Sequence, residues 1–181
     1  MNRRPKAVFI DRDGVLIRDA DYLSSVAGLV VLKGASQALR LLRKAGFKIV
    51  IVTNQSGVAR GYFTAAVVRK IHAELKRRLA KGGARWDAIY VSPHGPDSGH
   101  PWRKPGTGML LAAKRKFGLD LGNSFLIGDK TSDIECARRA GCAGVLVRTG
   151  KGGRDKKYKA KPLVIRHNLL SAARWIAARS I

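Results

Sequence analysis

The sequence has few cysteines, few acidic residues and no long apolar run. Its two cysteines, Cys136 and Cys142, have no secretory context around them, so we expect a reduced cytoplasmic protein in which both are small core residues. Apolar runs such as residues 29–32 and 49–52 are far too short to cross a bilayer, and the apolar stretch near the N-terminus stops at Asp11. We therefore expect neither a signal peptide nor a membrane span.

Acidic residues number 12 against 36 lysines and arginines, which gives a formal net charge of +24. Such a charge attracts nucleic acid, anionic membranes and phosphorylated small molecules alike, so it does not choose among these partners. In so basic a chain, clustered acids indicate a site for a cation. Seven of the 12 acids lie in two short segments: Asp11, Asp13, Asp19, Asp21, Asp129, Asp133 and Glu135.

Strand-like and helix-like segments alternate along the chain, which predicts an α/β fold. With 181 residues, 45% of them hydrophobic, residues 1–181 are expected to form a single domain with one proper core. We predict a Rossmann-like parallel sheet flanked by helices on both faces, without an insertion large enough for a cap domain. Residues 150–161, rich in glycine and basic residues, are predicted to be a mobile loop. The predicted strands are residues 7–10, 48–52, 87–91, 124–127 and 143–147 with a short one near 164, and the predicted helices are 34–45, 64–80, 107–117, 132–140 and 169–178.

Polar residues follow three of the predicted strands. Asp11 and Asp13 come after the first strand, Thr53 directly follows the second, and Asp129 follows the fourth. Because ligands bind beyond the carboxyl ends of parallel strands, we expect these side chains to converge on one site. Asp11 and Asp13 taken alone also fit a solvated turn with an Asx cap. Their recurrence with the other motifs favours an active site.

Four motifs, taken in order, resemble those of the haloacid dehalogenase superfamily of phosphatases: Asp11-Arg12-Asp13-Gly14, Thr53-Asn54, Arg103-Lys104-Pro105 and Gly128-Asp129-Lys130. The resemblance covers residues 6–148. The longer phrase at residues 53–61, together with residues 103–105, is most similar to the D-glycero-D-manno-heptose-1,7-bisphosphate 7-phosphatases, close relatives of the histidinol-phosphate phosphatases. The resemblance implies Mg²⁺-dependent removal of the 7-phosphate through an aspartyl-phosphate intermediate.

The resemblance also implies a role for each motif residue. Asp11 would attack phosphorus, and Asp13 would protonate the leaving oxygen and then deprotonate water. Thr53 and Lys104 would stabilise charge on the phosphoryl oxygens. The Mg²⁺ ligands would be Asp11, the backbone carbonyl of Asp13, and Asp129. The implied substrate contacts are Arg12, Asp19, Tyr22, Asn54, Gln55, Ser56, Arg60, Arg103 and Lys130, of which Arg103 would bind the second phosphate and Arg60 fits a surface cation equally well.

Asp133 lies one helical turn beyond Asp129. It is expected to orient Lys104 or a water on the metal, with a stabilising charge at a helix N-terminus as the alternative. His72 is expected on the surface of its helix.

The segment from Ser92 to Trp102 departs from the family pattern. Relatives often carry zinc-binding cysteines here, but this chain has Ser92-Pro93-His94 and His100-Pro101-Trp102 instead. Two histidines do not make a structural zinc site, so no zinc is expected. We predict that Trp102 packs as an apolar anchor beside Arg103. Burial of its indole would hold Arg103 and Lys104 in place, where the relatives use zinc coordination.

Three other functions compete with heptose bisphosphate hydrolysis. Histidinol-phosphate hydrolysis needs recognition of an amino group, which the cationic Arg103 disfavours. A nucleic-acid 3′-phosphatase would suit the charge of +24, but basic residues are spread over helix surfaces and no aromatic stacking platform is evident. A pure binding module has no use for the catalytic motifs. We therefore expect a cytoplasmic monomer that acts on a sugar bisphosphate, without nucleic-acid or membrane partners.

Overall fold

The chain folds around one parallel β-sheet in the computed structural model, which describes residues 4–179. All neighbouring strands pair in parallel, in the order β3-β2-β1-β4-β5-β6, once the elements are numbered along the chain. The strands are β1 (Ala7–Ile10), β2 (Lys48–Asn54), β3 (Ala88–Ser92), β4 (Phe125–Gly128), β5 (Ala143–Val147) and β6 (Val164–Arg166), and the helices are α1 (Ala35–Lys44), α2 (Ala65–Lys81), α3 (Gly108–Phe117), α4 (Thr131–Ala140) and α5 (Leu169–Ala177).

Alternate strand residues enter two separate cores, one on each face of the sheet. In β1, Val8 and Ile10 join the core formed with α1, α2 and α5, whereas Ala7 and Phe9 join the core formed with α3 and α4. Side chains alternate across a strand, so a strand covered on both faces is apolar at every position. The predicted α/β fold, with helices on both faces and no large cap domain, is confirmed.

The element boundaries follow local signals in the sequence. Thr64 caps α2 by accepting a hydrogen bond from the N–H of Val67 at 3.4 Å. Asp133 accepts a hydrogen bond from the N–H of Lys130 at 3.0 Å where α4 begins, as expected of an acid in the first helical turn. Cys136 and Cys142 are both buried and free, as predicted. No helix among residues 4–179 has the length and apolar character to cross a membrane.

The sheet brings the motifs together at one edge. Because β1 lies between β2 and β4, the residues after its last position face the ends of both neighbours. Asp11 continues from β1 and donates its N–H to the carbonyl of Ile127 in β4 at 3.0 Å. Asn54 ends β2, and Asp129 directly follows β4. The predicted convergence of these residues is therefore a direct result of strand order.

Candidate active site

Lys104 lies at the centre of a buried ion cluster. Its Nζ is 2.9 Å from Asp11 Oδ1 and 2.6 Å from Asp133 Oδ1, and it donates a hydrogen bond to the Val52 carbonyl at 3.0 Å. The side chain of Asn54 fixes the Lys104 backbone with two hydrogen bonds, donating to its carbonyl at 3.2 Å and accepting from its N–H at 3.1 Å. The expectation that Asp133 orients Lys104 is confirmed.

One carboxylate oxygen of Asp129 is held by the backbone and the other is not. Oδ2 accepts a hydrogen bond from the N–H of Lys151 at 2.6 Å, whereas the buried Oδ1 has no hydrogen-bond partner among the described residues. Two glycines make room for this carboxylate, because a Cβ on Gly14 or Gly150 would lie 2.5 or 2.2 Å from Oδ2. An orphaned buried carboxylate oxygen is costly unless a cation or donor satisfies it.

Three buried carboxylates crowd together next to this oxygen. Asp11, Asp129 and Asp133 each offer an oxygen within 4.8 Å of the others. Burial, opposed by Lys104 and reinforced by Asp133, raises the pKa of Asp11 to about 6. Burial, reinforced by the charges of Asp11 and Asp133, raises the pKa of Asp129 to about 8. The ligand atoms of these three carboxylates are all oxygen, and one more positive charge is needed to balance the cluster. Such a site fits Mg²⁺, which prefers oxygen ligands.

Asp13, Gln55 and Thr53 are linked by hydrogen bonds beside this cluster. Gln55 Nε2 donates to Asp13 Oδ2 at 2.9 Å and to Thr53 Oγ1 at 2.8 Å. The guanidinium of Arg12 also contacts the Asp13 carboxylate, with Nη2 2.8 Å from Oδ1. Arg12 is only 1% exposed and its side chain contacts protein groups, so its predicted contact with substrate stays a prediction.

A cleft of about 740 Å³ opens above these residues. Thr53 and Asp129 are fully buried and do not contribute to its lining. The flap at residues 18–26 and the residues after β2 form its mouth, where Lys130 Nζ lies 3.8 Å from Asp19 Oδ2 and the Arg60 guanidinium lies 5.8 Å from the Tyr22 ring. The predicted site residues that line this cleft are Asp11, Arg12, Asp13, Asp19, Tyr22, Asn54, Gln55, Ser56, Arg60, Arg103, Lys104 and Lys130.

Residues 150–161 lie against the site, which sequence reasoning did not anticipate. Lys151 Nζ is 3.2 Å from Asp21 Oδ1 in the flap, and the Asp155 carboxylate accepts hydrogen bonds from the N–H and hydroxyl of Thr131 at 2.9 and 2.6 Å. Arg154, Lys157 and Tyr158 of this loop line the cleft. The cluster of basic residues was the only signal in the sequence, and it carries no information about where the loop folds. Its mobility stays a prediction.

The prediction that His72 lies on the helix surface is wrong. His72 is 8% exposed, and its Nε2 lies 3.0 Å from Arg12 Nη1. Burial and the nearby Arg12 charge lower its pKa to about 4, so the ring is neutral. The helical spacing from the buried Val68 and Leu75 places His72 on the inner face of α2, and this signal was available in the sequence.

Trp102 packs against the core formed with α3 and α4, as predicted, and its ring lies edge-on to Tyr90 with centroids 5.9 Å apart. His94 and His100 stack with ring centroids 3.4 Å apart, and His100 Nδ1 accepts a hydrogen bond from the N–H of Trp102 at 3.2 Å. The backbone carbonyl of His94 accepts a hydrogen bond from Arg103 Nη1 at 2.9 Å. The absence of zinc stays a prediction.

Family models and relatives match most of the chain. The model described as haloacid dehalogenase-like hydrolase matches residues 8–78, and a second model of this type matches residues 101–172. The D-glycero-D-manno-heptose-1,7-bisphosphate 7-phosphatase of Thermosynechococcus vestitus is 40% identical over 94% of both chains. The D-glycero-beta-D-manno-heptose-1,7-bisphosphate 7-phosphatase of Bordetella bronchiseptica is 42% identical over 81% of this chain and 83% of the relative.

A solved structure is also similar. The D,D-heptose 1,7-bisphosphate phosphatase from B. bronchiseptica, complexed with magnesium and phosphate, superposes with a TM-score of 0.88 and 36% identity, covering 96% of this chain and 99% of that chain. These matches confirm the resemblance inferred from the sequence motifs. The chain therefore belongs to the haloacid dehalogenase-like hydrolases, and it is a phosphatase of that family.

Proposed function

We propose that the protein removes the 7-phosphate of D-glycero-D-manno-heptose 1,7-bisphosphate through an aspartyl-phosphate intermediate. The observation that carries the proposal is the buried Asp11, paired with Lys104 at 2.9 Å beneath a cleft whose mouth bears Arg60 and Arg103. Relatives at 40–42% identity carry the name of this activity. A sugar with two phosphates needs one reacting centre and a second set of cations, and the cleft offers both.

Asp11 acts as the nucleophile in this proposal. Lys104 Nζ and the N–H of Arg12 both contact its Oδ1, at 2.9 and 2.8 Å, and hold the carboxylate in place beneath the cleft. As the phosphorus–oxygen bond to the sugar breaks, Asp13 donates a proton to the departing oxygen. Water then attacks the aspartyl phosphate, Asp13 takes its proton, and inorganic phosphate leaves with the Asp11 carboxylate restored. Lys104 and Thr53 stabilise the charge on the phosphoryl oxygens.

Asp11, Asp129 and the backbone carbonyl of Asp13 would hold Mg²⁺ in this proposal. The bound ion supplies positive charge that offsets the repulsion between a carboxylate nucleophile and an anionic phosphate. The orphaned Asp129 Oδ1 and the raised pKa values of Asp11 and Asp129 support a cation at this point. At the mouth, Arg103 binds the second phosphate. The other proposed substrate contacts are Arg12, Asp19, Tyr22, Asn54, Gln55, Ser56, Arg60 and Lys130.

An exposed aromatic pair favours a second candidate function. Tyr22 and Tyr62 are 44% and 55% exposed and meet edge to face with centroids 4.9 Å apart, beside Arg60. Aromatic rings near a guanidinium can stack on bases of single-stranded nucleic acid. The competing activity is therefore removal of a 3′-phosphate from an oligonucleotide.

One assay separates these functions. Phosphate release is measured with Mg²⁺ from both anomers of heptose 1,7-bisphosphate, from histidinol phosphate and from a 3′-phosphorylated oligonucleotide. We expect the highest kcat/KM on one heptose bisphosphate anomer, loss of activity with EDTA and recovery when Mg²⁺ is restored. A higher kcat/KM on the oligonucleotide, together with tight binding that weakens steeply with salt, would refute the heptose assignment in favour of the nucleic acid.

A further inference from the structure

The most buried cation near the cleft, Arg12, makes several hydrogen bonds that no catalytic role yet explains. It is 1% exposed, and three of its nitrogen atoms contact Asp13, Gln55 and His72. We propose that His72 is a positioning residue that acts through Arg12 and Gln55 to hold the carboxylate of Asp13 for proton transfer. The inference rests on the proposed function, because it assumes that Asp13 is the general acid and base.

The Asp13 carboxylate is held at both oxygens. Arg12 Nη2 lies 2.8 Å from Oδ1, and Arg12 Nε lies 3.1 Å from Oδ2, which is a two-point contact between planar groups. Gln55 Nε2 donates to Oδ2 at 2.9 Å, and Gln55 Oε1 accepts from Arg12 Nη2 at 3.0 Å. Such a fork determines the plane of the carboxylate as well as its position. Asp13 can therefore turn only if Arg12 moves.

His72 holds the opposite end of the guanidinium. Its Nε2 lies 3.0 Å from Arg12 Nη1. Arginine carries only donors, so Nε2 must be the acceptor and its lone pair must point at Arg12. The guanidinium is rigid and planar, so a contact at Nη1 also limits the positions of Nε and Nη2. In this way a buried residue of α2, whose hydrogen bond goes to Arg12 and not to Asp13, constrains the Asp13 carboxylate.

The position of the Asp13 carboxylate matters most in the first half of the reaction, when the leaving group departs. A sugar alkoxide is a poor leaving group and needs a proton from Asp13 as it departs, whereas p-nitrophenolate leaves without one. The value of kcat/KM reports the steps up to the departure of the leaving group. Misplacing the Asp13 carboxylate should therefore reduce kcat/KM for an alkyl phosphate and spare it for p-nitrophenyl phosphate.

The test compares His72→Leu, which removes the acceptor, with His72→Gln, whose amide oxygen can accept the Arg12 hydrogen bond. Because general acid catalysis contributes 10²–10⁴-fold, we expect His72→Leu to lower kcat/KM for heptose 1,7-bisphosphate by about 10- to 100-fold and for p-nitrophenyl phosphate by less than about threefold. His72→Gln should restore the wild-type ratio of the two values. Equal losses on both substrates, no loss on either, or failure of His72→Gln to rescue would overturn the proposal.

Val68→Ala is the matched control. Val68 is buried on the same face of α2, one turn before His72, and should lower thermal stability without changing the ratio of the two kcat/KM values. If His72→Leu does not fold, His72→Phe, which replaces the imidazole with a ring that has no acceptor nitrogen, carries the same comparison. A wild-type enzyme that hydrolyses neither substrate with Mg²⁺ refutes the proposed function itself, whereas an active wild-type enzyme with equal losses in the variants refutes only the positioning role.

Discussion

The ion pairs at the floor of the cleft are buried, whereas the ion pairs at its rim are exposed to solvent. We define the floor as the buried residues Asp11, Lys104, Asp129 and Asp133, at the cleft lining and beneath it. The rim is the flap at residues 18–26, Arg103 and the loop at residues 150–161. In the floor, the side chains of Lys104 and Asp133 are 2% and 1% exposed and lie 2.6 Å apart. In the rim, the side chains of Lys151 and Asp21 are 43% and 79% exposed and lie 3.2 Å apart.

The difference shows where this protein depends on each charge. A buried ion has lost its water, so removing its partner leaves an uncompensated charge in a medium that stabilises it poorly. An exposed ion keeps most of its hydration, and its pairing contributes little free energy. The floor should therefore govern both stability and turnover, and the rim should govern the choice of substrate. Asp11→Asn, Lys104→Met, Arg103→Ala and Lys151→Met test this division, and the pH dependence of stability tests His72, which is buried outside both regions.

Asp11→Asn should have the largest effect. The change keeps the size of the side chain and most of its hydrogen bonding but removes the nucleophile, so we expect turnover below about a thousandth of the wild-type rate with the fold retained. Phosphate release and circular dichroism measure the two properties. Residual turnover above that level would rule out the covalent mechanism.

Lys104→Met should destabilise the fold itself. Without the ammonium, the carboxylates of Asp11 and Asp133 stay buried with no opposite charge between them, so the free energy of unfolding should fall by about 3–5 kcal/mol. Unfolding in urea measures the loss. A loss below about 1 kcal/mol, as expected for an exposed pair, would show that the floor is solvated in solution.

His72 should make stability depend on pH. Its pKa falls from 6.5 in an unfolded chain to about 4 in the fold, so between these values the unfolded state binds more protons. Stability is then fully present above pH 6.5 and is lost as the pH falls towards 4. Between pH 7 and pH 4.5, wild type should lose about 2 kcal/mol more than His72→Gln, as measured by urea unfolding. Parallel losses in the two proteins would mean that His72 is protonated normally in the fold.

Arg103→Ala should change the choice of substrate more than the chemistry. Arg103 is partly exposed and makes one hydrogen bond to the His94 carbonyl, so it is available to a ligand in the cleft. Loss of a two-point contact with the second phosphate, about 1.5–3 kcal/mol, should raise KM for a bisphosphate by about 10- to 150-fold and leave KM for a monophosphate largely unaffected. Equal changes in KM for the two substrates would assign Arg103 to the reacting phosphate or to the fold.

Lys151→Met should have the smallest effect on stability and serves as the exposed counterpart of Lys104→Met. It removes the ion pair with Asp21 but keeps the backbone N–H that contacts Asp129, so the free energy of unfolding should fall by less than about 1 kcal/mol. Urea unfolding at low and high salt measures it. A loss comparable to that of Lys104→Met would remove the distinction between floor and rim.

The sequence by itself determined the fold class, and the resemblance of its motifs to the haloacid dehalogenase superfamily identified the members of the floor. Apolar strands such as β1 are buried on both faces and lead directly into acidic residues, and strand alternation with helices leaves only a parallel sheet. Thr64 and Asp133 are local sequence signals for the start of α2 and of α4. These signals depend on spacing within a few residues, so they can be interpreted without knowing the packing.

Only the tertiary structure decided which distant residues support the floor and where the basic loop lies. His72 contacts Arg12 across 60 positions of sequence, and Lys151 contacts Asp129 across 22. The helical spacing of His72 indicated burial but not its partner, and the charge of residues 150–161 is equally compatible with a free loop and with one packed at the cleft. Contacts of this kind depend on the packing of α2 and on the path of the chain after β5, which no local pattern encodes.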